Sequence, residues 1–157
     1  MITTKMQIRI EHPDQPELHQ LIEELDAYQK PLYPPESHHG IDLEALSRAN
    51  VVFAVIRSGA GTAIGCGAVV VGGQEGELKR MYIRPGHREQ GLGGRLLQFL
   101  ETEARRQGCE VLRLETGIRQ LAAIRLYERR GYRKCPPFGD YREDPMSVFL
   151  EKIISST

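Results

Sequence analysis

Residues 77–99, ELKRMYIRPGHREQGLGGRLLQF, decide how this chain folds. Glu77 to Ile83 reads as a strand and Pro85-Gly86 as a turn. Gly91, Gly93 and Gly94 then form a glycine-rich loop whose amides open an amphipathic helix. The glycines let backbone N–H groups approach a ligand with no side chain in the way. The same amides are the unpaired first donors of the helix, whose dipole favours a nearby anion by about 0.3–1 kcal/mol. A loop built this way binds phosphate, and Arg88 can add a charge-assisted bond to a phosphate oxygen. Helix capping alone would account for one glycine, but not for three within four residues behind Arg88-Glu89-Gln90.

Two nucleotide-binding patterns fail on this segment. GxxxxGK[ST] is absent, which excludes a P-loop nucleotidase. A dinucleotide fingerprint needs GxGxxG tightly after the first strand of a βαβ unit, and Gly91-Leu92-Gly93-Gly94-Arg95-Leu96 breaks that pattern.

Outward from the loop, the helix from Gly91 to about Gln107 carries Leu92, Leu96, Leu97, Leu100 and Ala104 on one stripe, and Gly108 stops it. Glu110 to Thr116 is a strand, and Gln120 to Arg130 a helix that Gly131 ends. Tyr132 to Cys135 begins another strand, Pro136 to Pro145 is a loop, and Ser147 to Ile153 alternates as a last strand. Upstream, Met6 to Ile10 alternates as a first strand. Pro13 to Lys30 has Leu18, Leu21, Ile22 and Leu25 at helical spacing, and Pro31, Pro34 and Pro35 end that helix in an extended loop. A short helix covers Asp42 to Arg48. Val51–Arg57 and Thr62–Val71 form a hairpin, and Gly72 to Gly76 turns the chain into the strand at Glu77. The order is β-α-α-β-β-β-α-β-α-β-β, an α/β domain with a mixed sheet.

At 157 residues the chain fits a single domain, residues 1–157, with no repeat, low-complexity tract or linker. Lys+Arg and Asp+Glu are equal at 21 each, so no global field draws the protein to nucleic acid or an anionic membrane. No apolar run approaches the roughly 18 residues of a membrane span, and Met1 to Ile10 does not read as a signal peptide. Cys66, Cys109 and Cys135 are odd in number and far apart, with no CxxC pair. A disulfide framework or zinc site is not expected, and a reducing cytoplasm fits. Cys66 lies in an apolar strand and reads as core.

Arg88-Glu89-Gln90-Gly91-Leu92-Gly93 resembles the acetyl-CoA signature [RQ]-x-x-G-x-[GA] of the GNAT N-acetyltransferases at every defined position. The setting resembles the family too: a strand ending Met81-Tyr82-Ile83, the Pro85 turn and the leucine-rich helix. The likeness continues through Leu112-Arg113-Leu114-Glu115 to Ile124–Tyr132, and covers roughly residues 51–135. The tail Cys135–Lys152, with Pro34-Pro35-Glu36-Ser37, resembles a small bacterial subgroup of acetyltransferases. The resemblance implies a GNAT fold: a single α/β domain with a central mixed, mostly antiparallel sheet of about six to seven strands, flanked by about four helices.

It also implies acetyl-CoA as co-substrate, no metal, and direct attack of a neutral amine on the thioester. Met81, Tyr82 and Ile83 would pair with pantetheine through main chain, and one of their amides would polarise the thioester carbonyl. The pyrophosphate would sit on the amides of Glu89, Gln90, Gly91, Leu92, Gly93 and Gly94, with Arg88 nearby. Tyr127 takes the place of the general acid; a phenol with pKa about 10 is protonated at neutral pH and can donate to a departing thiolate. Its other reading is an aromatic packed on cofactor or core. Glu115, and Glu77 on the neighbouring strand, are the candidate bases, or else solvated or ion-paired carboxylates. Gln120 stands where some members carry an asparagine that holds cofactor or strand backbone.

The acceptor pocket falls to Tyr33–His39 and Phe138–Asp144. There Glu36, Asp140, Glu143 and Asp144 could receive an ammonium, and His38 and His39 an acidic or metal-associated group, though adjacent histidines without a third ligand make a poor metal site. A small-molecule amine acceptor is expected first, then a protein N-terminus or lysine. A CoA-binding sensor without catalysis is the alternative from another class, and a nucleotide-phosphate binder a third. Many relatives dimerise, which leaves a homodimer open.

Overall fold

The computed structural model describes residues 5–29, 42–88 and 90–155. The element order is β1 (Gln7–Ile10), α1 (Pro16–Gln29), α2 (Leu43–Leu46), β2 (Val51–Arg57), β3 (Ala63–Gly72), β4 (Glu75–Ile83), α3 (Leu92–Arg106), β5 (Val111–Gly117), α4 (Leu121–Arg129), β6 (Arg133–Lys134) and β7 (Ser147–Ile153), with a 3-10 turn at Pro85–His87 between β4 and α3. Seven strands form one sheet in the order β1-β2-β3-β4-β5-β7-β6. Every neighbouring pair is antiparallel except β4 and β5, which run parallel. This is the mixed α/β architecture that the resemblance implied.

Each face of the sheet is covered by its own helices. On one side α3 lays Leu92, Leu96, Leu97, Leu100 and Ala104 against Val52, Ala54, Val69, Leu78, Leu112, Leu114 and Leu150. The stripe spaced at three and four residues is thus the buried one. On the other side Leu18, Leu21 and Leu25 of α1 and Leu46 of α2 meet Phe53, Val55, Cys66, Ala68 and Tyr82. Burial pushes the Cys66 thiol up to about 12, as fits a core residue. Ion pairs add to this second layer: Arg84 with Glu24 at 2.9 Å, Arg80 with Asp26, and Arg57 with Glu17 and, at 2.8 Å, with Glu11.

Most element ends shift by one or two residues from the sequence reading, and two of the differences have a local cause. The first helix begins at Pro16, not Pro13, because proline suits the first helical position, where its missing N–H costs nothing. The β3–β4 hairpin closes through Gly73 and Gln74, since Gly72 already pairs with Glu75. Gly73 takes a φ of +64°, the left-handed conformation that a two-residue hairpin turn needs. The extended loop expected from Pro31 lies outside the described residues.

Candidate active site

The site is built on a fork in the sheet. Strands β4 and β5 pair in parallel from Glu75–Val111 to Leu78–Leu114 and no further, although both continue, β4 to Ile83 and β5 to Gly117. One cause is local to β4. Its register against β3 shifts between Ala68–Lys79 and Cys66–Tyr82, so that two residues of β4 stand opposite Gly67. This is a β-bulge, which bends a strand and increases its twist. Arg80 within it has a φ of +58°, the only positive φ at a described non-glycine residue. An α1 carboxylate, Asp26, pairs with the Arg80 side chain, and the Arg80 carbonyl accepts from Cys66 Sγ at 3.3 Å. Gly67 is required there: a Cβ on it would lie 2.5 Å from Met81 Sδ and 3.0 Å from Leu100 Cδ1.

Beyond the bulge, the Arg84 N–H donates to the Ile64 carbonyl, in the register that pairs Tyr82 with Cys66. Antiparallel strands alternate the direction of their peptide groups, so those of Ile83 face away from β3 and into the fork. Met81, Tyr82 and Ile83 therefore form the end of a strand with an open edge. The carbonyl of Ile83 accepts from Arg88 Nε at 2.8 Å. The Arg88 guanidinium also lies 5.4 Å from the ring centroid of Tyr28 and 5.7 Å from that of Tyr82. Arg88, expected at the phosphate, thus ties the glycine loop back to the splayed strand.

The three loop glycines serve different purposes. Gly91 is the N-cap of α3 at a φ of +75°, with open space where a Cβ would be. Gly93 and Gly94 face α4: a Cβ on Gly93 would stand 2.9 Å from Leu126 Cδ2, and one on Gly94 would overlap the Arg130 guanidinium. Two of the glycines therefore let α4 and its C-terminal end dock on the first turn of α3. No side chain caps α3, and the amides of Leu92 and Gly94 donate to no partner among the described residues. Open donors at a helix start fit an anion. Gln90 is exposed beside them, and Glu89 lies outside the described residues.

Tyr127 is the one buried residue of α4, 6% exposed, and packs edge-on against Tyr132 with ring centroids 5.7 Å apart. Its hydroxyl has no hydrogen-bond partner among the described residues, yet no described buried side-chain oxygen is left unsatisfied. The ring is therefore in the core while the oxygen still reaches solvent. Burial pushes the phenol pKa up, so it stays protonated well above neutral pH. Gln120 stands at the N-cap of α4, and its Oε1 accepts from Thr116 Oγ1 at 3.4 Å, joining α4 to the end of β5.

Leu78 and Leu114 point into the α3 core, so Glu77 and Lys79 on β4 and Glu115 on β5 lie on the opposite face. Glu115 is the first β5 residue past the last pair and accepts from Ser147 Oγ at 2.6 Å. Glu77 lies before the fork; its Oε2 is 3.2 Å from Lys79 Nζ and accepts from the Tyr141 hydroxyl at 2.5 Å. Lys79 and Ser147 were not singled out in the sequence, and Tyr141 was only one residue of the loop Phe138–Asp144, because Tyr141 and Ser147 find their partners far along the chain. Of the acceptor candidates, Asp140 and Glu143 are exposed, and Asp144 caps the turn into β7 by accepting from the Met146 N–H at 2.8 Å. Glu36, His38 and His39 lie outside the described residues. Among the described residues no group of His, Cys, Asp or Glu side chains could hold a metal ion, and no helix is long and apolar enough to cross a membrane.

An antiparallel sheet interrupted by one parallel pair is forked there beside an uncapped, glycine-led helix, the arrangement that the family resemblance implied. The model of the acetyltransferase (GNAT) family matches residues 17–132, and this chain belongs to that family. The match takes in the first helix, which lies outside the residues 51–135 that carried the sequence likeness. The chain is 46% identical over 144 residues to the IAA acetyltransferase of Azospirillum brasilense, covering 90% of this chain and 94% of that protein. It is 40% identical over 122 residues to the uncharacterized N-acetyltransferase YsnE of Bacillus subtilis, covering 76% and 80%. A crystal structure from Klebsiella pneumoniae, assigned by name to the acyl-CoA N-acyltransferases, superposes with a TM-score of 0.81 at 44% identity, covering 95% of this chain and 97% of that one. The protein is thus an acyltransferase of the N-acetyl-transferring class.

Proposed function

We propose that the chain moves an acetyl group from acetyl-CoA to the amine of a small-molecule acceptor by direct attack. The fork carries this reading: the described parallel pairing ends at Leu78–Leu114, a bulge follows, and an open strand edge runs beside the uncapped start of α3. Acetyl-CoA, the co-substrate, supplies the activated thioester. The Ile83 peptide group and its neighbours Met81 and Tyr82 hold the extended arm through main chain. The amides of Glu89 to Gly94, among them the open donors of Leu92 and Gly94, take the pyrophosphate.

Tyr127 holds the proton that the departing thiolate takes as the C–S bond breaks and the C–N bond forms. Glu115, the first residue of β5 beyond the fork, receives the proton that the amine gives up, directly or through water. Glu77, on the neighbouring strand before the fork, is the second candidate. A loop fastened over this side of the fork favours a small acceptor over a protein segment.

Incubation with acetyl-CoA and an amine panel (amino acids, a polyamine, an aminoglycoside), reading free thiol, tests the reading. Amine-dependent thiol release is expected. Tight CoA binding with no release for any amine, or for a peptide N-terminus or lysine, would leave a sensor.

A further inference from the structure

The loop between β6 and β7 is joined to β4 by one hydroxyl. Tyr141 Oη donates to Glu77 Oε2 at 2.5 Å and accepts from Lys79 Nζ at 2.7 Å. The ammonium also lies 3.2 Å from that carboxylate oxygen and 5.3 Å from the centroid of the Tyr141 ring. The ring itself is wedged edge-on between Phe138 and Phe149, with centroids 5.1 and 5.5 Å away. Burial, then the bond and charge of Glu77 and the charge of Glu115, push the phenol pKa up, so it remains a donor. Lys79 and Glu115 are the first residues of their strands past the last paired position, on the face away from α3. The hydroxyl thus bridges an ammonium and a carboxylate at the mouth of the fork, where charge-assisted bonds are strong.

We propose that Tyr141 and Lys79 are positioning residues of the acceptor side: with Glu77 they form a charge-paired latch that seats residues 136–146 on the sheet and shapes the pocket where the acceptor's amine meets Glu115. The latch rests on the reading of the fork as an acyl-transfer site. Its three members form a closed triangle, each touching the other two, so a change at one weakens the contacts of both others. It reaches the chemistry through the pocket and the local charge. Charged groups facing it are Glu77 and Lys79 from β4, Arg113 and Glu115 from β5, and Glu151 from β7, with Arg113 bound to Glu75 and Glu151.

The test uses the full chain and whichever amine of the panel turns over. Tyr141→Phe keeps the ring and its packing but removes the bridge. It should raise KM for the amine about tenfold, the scale of one charge-assisted hydrogen bond, with the Kd for CoA unchanged. Combined with Glu77→Gln, it should be no worse than the more damaging single change. Lys79→Met removes the ammonium that Glu77 and Tyr141 share, so KM for the amine should rise with kcat and the Kd for CoA held; a merely structural role would move all three together. The latch is overturned by a Tyr141→Phe or Lys79→Met enzyme with wild-type KM, by independent multiplication of the two effects, or by loss of CoA affinity in step with KM. A wild-type protein that releases no thiol with any amine instead overturns the acyl-transfer reading itself.

Discussion

The two faces of the fork are made of different materials. The α3/α4 face is apolar, with leucines from α3, β4 and β5 closing a continuous core around Tyr127. Its buried charge among the described residues is Glu101, whose carboxylate accepts from the Tyr132 hydroxyl at 2.8 Å and from Lys152 Nζ at 3.1 Å. The α1 face is bound by charge as well as packing: Arg57, Arg80, Arg84 and Lys79 each pair with a carboxylate. The side proposed to hold the donor rests on backbone geometry and helix packing. The side proposed to hold the acceptor rests on side chains from separate elements. A donor shared across a family can be held by main-chain groups that many sequences can present; an individual acceptor must be read by side chains.

Breaking the donor side at its chemistry should give the largest effect. Tyr127→Phe keeps the buried ring and removes the hydroxyl, so turnover should fall about 10²–10⁴-fold with CoA affinity retained. Steady-state rates beside calorimetric CoA titration check this, and an unchanged rate across pH would remove Tyr127 as the acid.

A smaller change should come from closing the space at the bulge. Gly67→Ala puts a methyl into Met81 Sδ and Leu100 Cδ1, at a cost of about 1–3 kcal/mol. It should lower Tm and also weaken CoA binding, because Met81 lies on the open edge. Gly91→Ala meets nothing within 4 Å and should cost only the left-handed backbone, about 1–2 kcal/mol. A Gly91→Ala protein less stable than Gly67→Ala would reverse that assignment of the two glycines.

On the charged side an effect that depends on pH comes from Glu11. The Arg57 guanidinium lowers its carboxyl from 4.5 to about 2 in the folded protein. As pH falls, the unfolded chain takes up this proton first. The stabilisation is complete above about 4.5 and is lost toward about 2. Denaturant titrations should show Glu11→Gln less stable than wild type at pH 7 and the gap closing in this window.

Much of the donor side was legible because its signals are local. The α3 stripe follows from residue spacing, and the loop from three glycines behind Arg88. The purposes of those glycines were not legible, since Gly93 and Gly94 answer to Leu126 and Arg130 on a later helix. Arg88 reads as a phosphate ligand in sequence because nothing near it suggests that the Ile83 carbonyl lies within 2.8 Å. On the acceptor side, Glu77 and Glu115 could be picked out by strand position. Tyr141 could not, since its partners Glu77 and Lys79 lie more than sixty positions away.

By itself the sequence determined the order of strands and helices, the buried stripes of α1 and α3, and the glycine-led helix start. All of these rest on periodicity and backbone preference within a few residues. The tertiary structure decided that β7 inserts between β5 and β6, that β4 bulges at Arg80 and parts from β5 after Leu78, and which side chains face one another across the opening. Those outcomes depend on strand pairing and ion pairs between distant segments, which acquire definite distances only when the sheet is assembled.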